Sequence, residues 1–300
     1  MFTSFADIEA AALSCGANQT IALCGAQDTA ALAAVARVRE RGIANAVLIG
    51  DAAQTRAALA ELDEDPAAYE LVDEANEVKA ARLAFRMVKE GSASVPMKGG
   101  MQTQSFMMGV LHPRFGVMPE GGFLSETMVF EHTEQGRLML AADCALSVAP
   151  TLEEKVRIVE NAVEAARALG MDEVRVAALS AVEKVNPSMP SSVEAAELAA
   201  RAWPEGVLVE GPLALDNAVD AEAAAHKGIS GSVAGNADVL LLPDLISGNI
   251  FYKTVHFFGH LPILSVLSGT TAPVVMTSRT DTVDTKYFSI LYALLAASRR

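Results

Sequence analysis

The sequence predicts an α/β fold built on a parallel sheet with helices on both faces. Three observations support this. Short apolar runs alternate with longer helical patterns in βαβα order. The 300 residues are enough for two domains or one large α/β domain. A content of 51% hydrophobic and 20% charged residues is that of a folded globular chain.

Taken in order, TIALCG (Thr20–Gly25) reads as a buried strand, followed by a helix over about 28–41. NAVLIG (Asn45–Gly50) is the next strand, with helices over about 52–62 and 76–90 and then SVPMKGG. After Pro150, Thr151 and Glu154 have capping-box spacing. Leu152, Val156, Val159, Val163, Ala166 and Leu169 then line one helix face, and Gly170 supplies the stop. Further strands are expected at Glu173–Leu179, Gly206–Gly211, Ala237–Asp244 and Ala272–Thr277. Ser191 or Ser192 is expected to cap the helix VEAAELAARA, and a last helix to cover Thr282–Ala297. VFEHTEQGRL reads as a polar turn between apolar runs, and a domain break is placed near Glu131–Arg137.

A formal net charge of −14 disfavours nucleic acid and anionic membrane surfaces as partners. Cys15, Cys24 and Cys144 form no CxxC pair, and their odd number argues against a disulfide framework. A reduced, cytoplasmic setting is expected, with no signal peptide in MFTSFADIEA and no membrane-spanning run.

Walker A and GxGxxG patterns are absent, and three smaller constellations remain. Lys98 ends an apolar run before Gly99 and Gly100 and a helical pattern, where an anion could approach. A βα turn with a solvated lysine explains the same residues. Asp244 and Asn249 follow ADVLLLPD at a strand's C-terminal end, and Lys253 lies four residues further on; turn glycines and an N-cap account for most of this run. In APVVMTSRTDT, Ser278 and Arg279 come from a strand end just before a helix start at Asp281 or Thr282. An oxyanion suits that position, and plain capping is the competing explanation. His256 and His260 have helical spacing but no third metal ligand. Trp203 is expected to cover a helix terminus, and Met97, Met101, Met107 and Met108 to fill the core.

Together, MKGGMQT (Met97–Thr103), ADCALSVAPTLEEK (Ala142–Lys155), EGPLALDNAV (Glu210–Val219), HKGI (His226–Ile229), VAGNADVLLLPDLISGNIFYK (Val233–Lys253) and APVVMTSRTDT (Ala272–Thr282) resemble the phosphate acetyl/butyryltransferase family, its butyryl branch most closely. The resemblance implies reversible transfer of a short acyl group between CoA and inorganic phosphate. It also implies two α/β domains facing across a cleft, in an isocitrate/isopropylmalate dehydrogenase-like fold that pairs as a homodimer. Residues 1–134 with 271–300 would form one domain and 135–270 the other.

By that resemblance, Ser278 would hydrogen-bond the CoA sulfur, and Arg279 would hold phosphate and stabilise the oxyanion. Some relatives carry an aspartate base where this chain has Thr285, so Asp284 or Asp281 would substitute. Lys98, Gly99, Gln102, Thr103, Asp244, Asn249, Lys253 and Asp281 are the expected substrate-binding residues. No metal and no tightly bound cofactor is implied, since CoA and acyl-CoA are substrates. An NAD-dependent decarboxylating dehydrogenase on the same fold is one alternative, but the aspartate cluster and arginine-rich site it needs are missing. A non-catalytic binding relative is the other. Despite the acidic total, residues 91–119 carry +2 and residues 245–300, with Arg300 included, carry +3, so the candidate segments are locally basic.

Overall fold

The computed structural model describes residues 1–15 and 18–299; Arg300 lies outside them. The chain divides into two compact units. The first combines Phe5–Gly122 with Ile263–Arg300, and the second combines Met1–Ser4 with Phe123–Pro262.

The first unit begins with α1 (Phe5–Ser14), β1 (Thr20–Cys24), α2 (Thr29–Glu40), β2 (Asn45–Gly50) and α3 (Ala52–Glu61). It continues through β3 (Glu70–Asp73), α4 (Glu77–Glu90), β4 (Val95–Lys98) and α5 (Thr103–Val110). Its strands lie in the order β3-β2-β1-β4, all parallel. Ile21, Leu23, Leu48 and Ile49 are fully buried, as expected for strands covered on both faces. Asp28, Asp51 and Asn76 cap α2, α3 and α4 by accepting N–H bonds from their first turns. The strand β3 was not expected, because its four residues ELVD carry only two apolar side chains. Chain order reverses between β1 and β4, and ligands in open α/β sheets bind at such a switch point, beyond the carboxyl ends of the strands.

The second unit runs through β5 (Ser125–His132), β6 (Arg137–Ala142), α6 (Leu152–Ala168), β7 (Val174–Leu179) and α7 (Pro190–Ala199). It continues with β8 (Val207–Leu213), α8 (Leu215–Val219), α9 (Ala221–His226), β9 (Val239–Leu241) and α10 (Leu245–Phe257). These strands lie in the order β5-β6-β9-β7-β8. The β5–β6 pair is antiparallel and the others are parallel. The polar turn read in VFEHTEQGRL is the turn of this hairpin. The Thr151–Glu154 capping box is present at the start of α6. Neither Ser191 nor Ser192 caps α7. Pro190 occupies its first turn, where a missing N–H is harmless, so the helix starts earlier than expected. Ser192 Oγ instead accepts from Asn186 N at 2.9 Å and donates to Met189 O at 2.8 Å. Trp203 covers a helix end as expected, its Nε1 donating to Leu198 O at 2.9 Å.

The chain re-enters the first unit at β10 (Ile263–Ser268) and closes with α11 (Val283–Ser298), which packs on β10, α2 and α1. The run Ala272–Thr277 is not a full strand. Only Val275 pairs, donating to Pro96 O at 3.0 Å and accepting from Lys98 N at 2.9 Å. Pro273 has no N–H to extend the ladder. Among the described residues no helix is long and apolar enough to cross a membrane.

Candidate active site

At the switch point the loops after β1 and β4 close on each other. Gly99 N donates to Cys24 O and Gly100 N to Gly25 O, each at 2.8 Å. Gly25 has φ +74°, and a Cβ on Gly99 would collide with the Gly25 carbonyl oxygen. The demand for glycine at 99 therefore comes from backbone packing. Lys98 is buried, and its Nζ donates to Thr277 O at 3.4 Å, which ties the end of β4 to the segment that leads into α11.

That segment turns at 278–281. Asp281 Oδ2 accepts from Ser278 N at 2.6 Å, and Asp281 N donates to Ser278 O at 3.2 Å. Ser278 Oγ and Thr280 Oγ1 share a hydrogen bond at 3.1 Å. Thr282 then caps α11 by accepting from Thr285 N at 3.2 Å. Ser278, Arg279 and Thr280 are exposed, while Thr277 and Asp281 are buried. Capping and turn bonds thus account for Asp281 and Thr282, leaving the Ser278 hydroxyl and the Arg279 guanidinium presented to solvent.

Lys286, one turn into α11, completes the cluster. Its Nζ donates to Ser278 O at 2.6 Å and to Thr277 Oγ1 at 3.4 Å. Burial holds the Lys98 ammonium below the usual lysine range, and repulsion from Lys286 and Arg279 adds to this; Asp28 and Cys24 oppose it. Burial likewise lowers Lys286, against Asp28 and Asp281. Asp28 is itself committed to Ala31 N at 2.9 Å. Chemically this is a basic turn that can accept an oxyanion, with a hydroxyl beside it.

Asp284 is exposed and paired with Arg37 at 2.6 Å, and Arg37 stacks on the Tyr287 ring at 3.8 Å. Gln102 and Thr103 are exposed at the start of α5, where Glu77 Oε2 already accepts from Gln102 N at 3.1 Å, so a carboxylate of the chain serves that helix end. Asp244, Asn249 and Lys253 belong to the second unit. Asp244 caps α10 in a capping box with Ser247, Asn249 is exposed, and Lys253 Nζ lies 5.0 Å from the Tyr252 ring centroid.

Sequence reasoning did not single out Lys286 or Asp143. Asp143 is 2% exposed. Its carboxylate accepts N–H bonds from Glu126, Ala145, Leu146 and Ser147 at 2.9–3.3 Å and the Ser147 hydroxyl at 2.8 Å. Gly248 of α10 packs on the Asp143 carbonyl, where a side chain would collide.

No group of His, Cys, Asp and Glu among the described residues could hold a metal ion. The helix α10 ends at Phe257 and His260 has φ +51°, so His256 and His260 do not share a helix face. Met97 and Met101 are core, but Met108 is 46% exposed.

The three cysteines are free. Burial pushes the Cys24 thiol up to about 12 and raises Cys144 well above the usual range. Iodoacetamide at pH 8 is therefore expected to label only exposed Cys15 in the native chain and all three thiols in denaturant, as counted by mass spectrometry. The labelled native protein should keep its activity.

The model of the family described as Phosphate acetyl/butaryl transferase matches residues 5–82 and 69–294. The chain is 40% identical over 283 residues to the phosphate butyryltransferase of Clostridium acetobutylicum, covering 93% of this chain and 94% of that protein. It is 35% identical over 285 residues to the phosphate acetyltransferase of Thermotoga maritima, covering 94% and 96%. The crystal structure of a branched-chain phosphotransacylase from Enterococcus faecalis V583 superposes with a TM-score of 0.82 at 31% identity, covering 93% of this chain and 99% of that one.

Proposed function

The chain belongs to the phosphate acetyl/butaryl transferase family, and on that premise we propose that it moves a short acyl group, butyryl in preference, between CoA and inorganic phosphate. The observation that supports this best is the exposed Ser278–Arg279 turn, braced by Asp281 and Lys286. A phosphate oxygen attacks the thioester carbonyl carbon, a tetrahedral oxyanion forms, and the C–S bond breaks to release CoA thiolate and acyl phosphate. Arg279, planar and permanently charged, holds phosphate and stabilises the oxyanion. Ser278 Oγ hydrogen-bonds the leaving sulfur. In reverse, Asp281 or Asp284 takes the thiol proton; Asp284 must first release Arg37, and Asp281 must loosen from Ser278 N.

Transfer is direct, within a ternary complex. Acyl radiolabel should not remain on the denatured protein, and initial rates should be sequential rather than ping-pong; retained label would establish a covalent intermediate. The activity itself is tested by mixing butyryl-CoA, acetyl-CoA and other short acyl-CoAs with phosphate and following free thiol. Phosphate-dependent release is expected, and its absence with every acyl-CoA would reject the proposal. The same series decides butyryl against acetyl, a choice worth about 1–3 kcal/mol per methylene in an apolar pocket.

Lys98, Gly99, Gln102, Thr103, Asp244, Asn249 and Lys253 remain proposed substrate-binding positions, and CoA and acyl-CoA are dissociable substrates. The proposal includes an isocitrate/isopropylmalate dehydrogenase-like fold and a homodimer. Exposed Ile246, Ile250, Phe257 and Phe258, on and just after α10, support the latter. Three free cysteines are consistent with a reducing, cytoplasmic setting.

A further inference from the structure

Lys98 and Lys286 are 3% and 2% exposed, and neither forms an ion pair among the described residues. An ammonium has three N–H donors, so the two lysines offer six. Among the described residues three acceptors meet them: Thr277 O for Lys98, and Ser278 O and Thr277 Oγ1 for Lys286. All three belong to the two residues that lead into Arg279. Lys286 also stands in the first turn of α11, where the helix dipole opposes a cation. The nearby carboxylates are already engaged, Asp28 by Ala31 N and Asp281 by Ser278 N. Three cations (Lys98, Lys286, Arg279) against these two acids leave a local charge of +1.

We infer that Lys286, with Lys98, forms a two-ammonium clamp that positions the Ser278–Arg279 turn and makes it the subsite for the phosphate dianion. The lysines act through the turn they hold and the field they add beneath it, so Lys286 is a positioning residue. A bound dianion offsets the charge that the protein's own groups leave uncompensated. The lowered basicity of both lysines agrees with their being short of counter-charge. The identity of the anion rests on the acyltransferase reading.

The test uses the full chain, with thermal unfolding in inorganic phosphate against chloride at equal ionic strength, and steady-state kinetics. Phosphate should raise the Tm of the wild type more than chloride does, and this difference should vanish in Lys286→Met. The KM for phosphate should rise about tenfold or more in that variant, while the KM for acyl-CoA stays within about twofold; Lys286→Arg, which keeps the charge, should restore most of the phosphate affinity. A general loss of structure would not separate the two KM values in this way. If Lys286→Met does not fold, Lys98→Met is read by the same two measurements. Equal phosphate protection of wild type and variant, or no preference of the wild type for phosphate over chloride, would overturn the clamp. Thiol release with an unchanged phosphate KM in Lys286→Met rejects the clamp alone. Phosphate-specific protection without thiol release from any acyl-CoA rejects the acyltransferase reading alone.

Discussion

Replacing Arg279 with alanine should slow acyl transfer by roughly 10²–10³-fold, the usual loss when one oxyanion contact is removed. The residue is exposed on a turn that Asp281 and Thr282 fix without its help, so the substitution removes a guanidinium and leaves the local backbone bonds in place. The unfolding midpoint should therefore barely change while initial rates of thiol release collapse. Arg279→Lys should recover little, because a point charge cannot present two parallel donors to phosphate. A variant within about threefold of wild type would remove Arg279 from the chemistry.

Asp143→Ala should destabilise the second unit by about 3 kcal/mol, since hydrogen bonds to a charged group are each worth about 1.5–3 kcal/mol and water can replace only part of them. Four backbone N–H groups and one hydroxyl converge on this buried carboxylate, and all lose their acceptor together. Asp143→Asn keeps one acceptor oxygen and should lose about half as much. Urea unfolding followed by circular dichroism reads both. A shift below about 1 kcal/mol for Asp143→Ala would mean that water takes over the site.

Asp143 also marks the limit of what could be read in advance. The parallel sheet of the first unit was legible because TIALCG and NAVLIG are apolar throughout and their helices start at aspartates. The start of α11 was legible from Thr282 for the same reason. The turn of the β5–β6 hairpin was legible in VFEHTEQGRL, but its antiparallel pairing was not, because 125–130 and 138–142 are buried runs like those of a parallel strand. Ser278 and Arg279 stood out as polar residues at the end of an apolar run. Lys286 did not, because a lysine is usually solvated. One signal was available: it shares a helix face with Ile290, Ala293 and Leu294, all buried, so its ammonium had to find partners inside the fold. The bonds to Asp143 come partly from Glu126, seventeen residues away, and no local pattern announces them.

The discontinuity of the first unit has a consequence for synthesis on the ribosome. Residues 5–122 emerge before the second unit, but α11 and the Ser278–Arg279 turn emerge only after it. At about 5–20 residues per second, residues 123–262 take roughly 7–28 s to translate. For that interval the nascent α1 and α2 lack the α11 surface they pack against. A ribosome that stalls before codon 263 therefore releases a chain whose first unit is unfinished and lacks the Ser278–Arg279 turn.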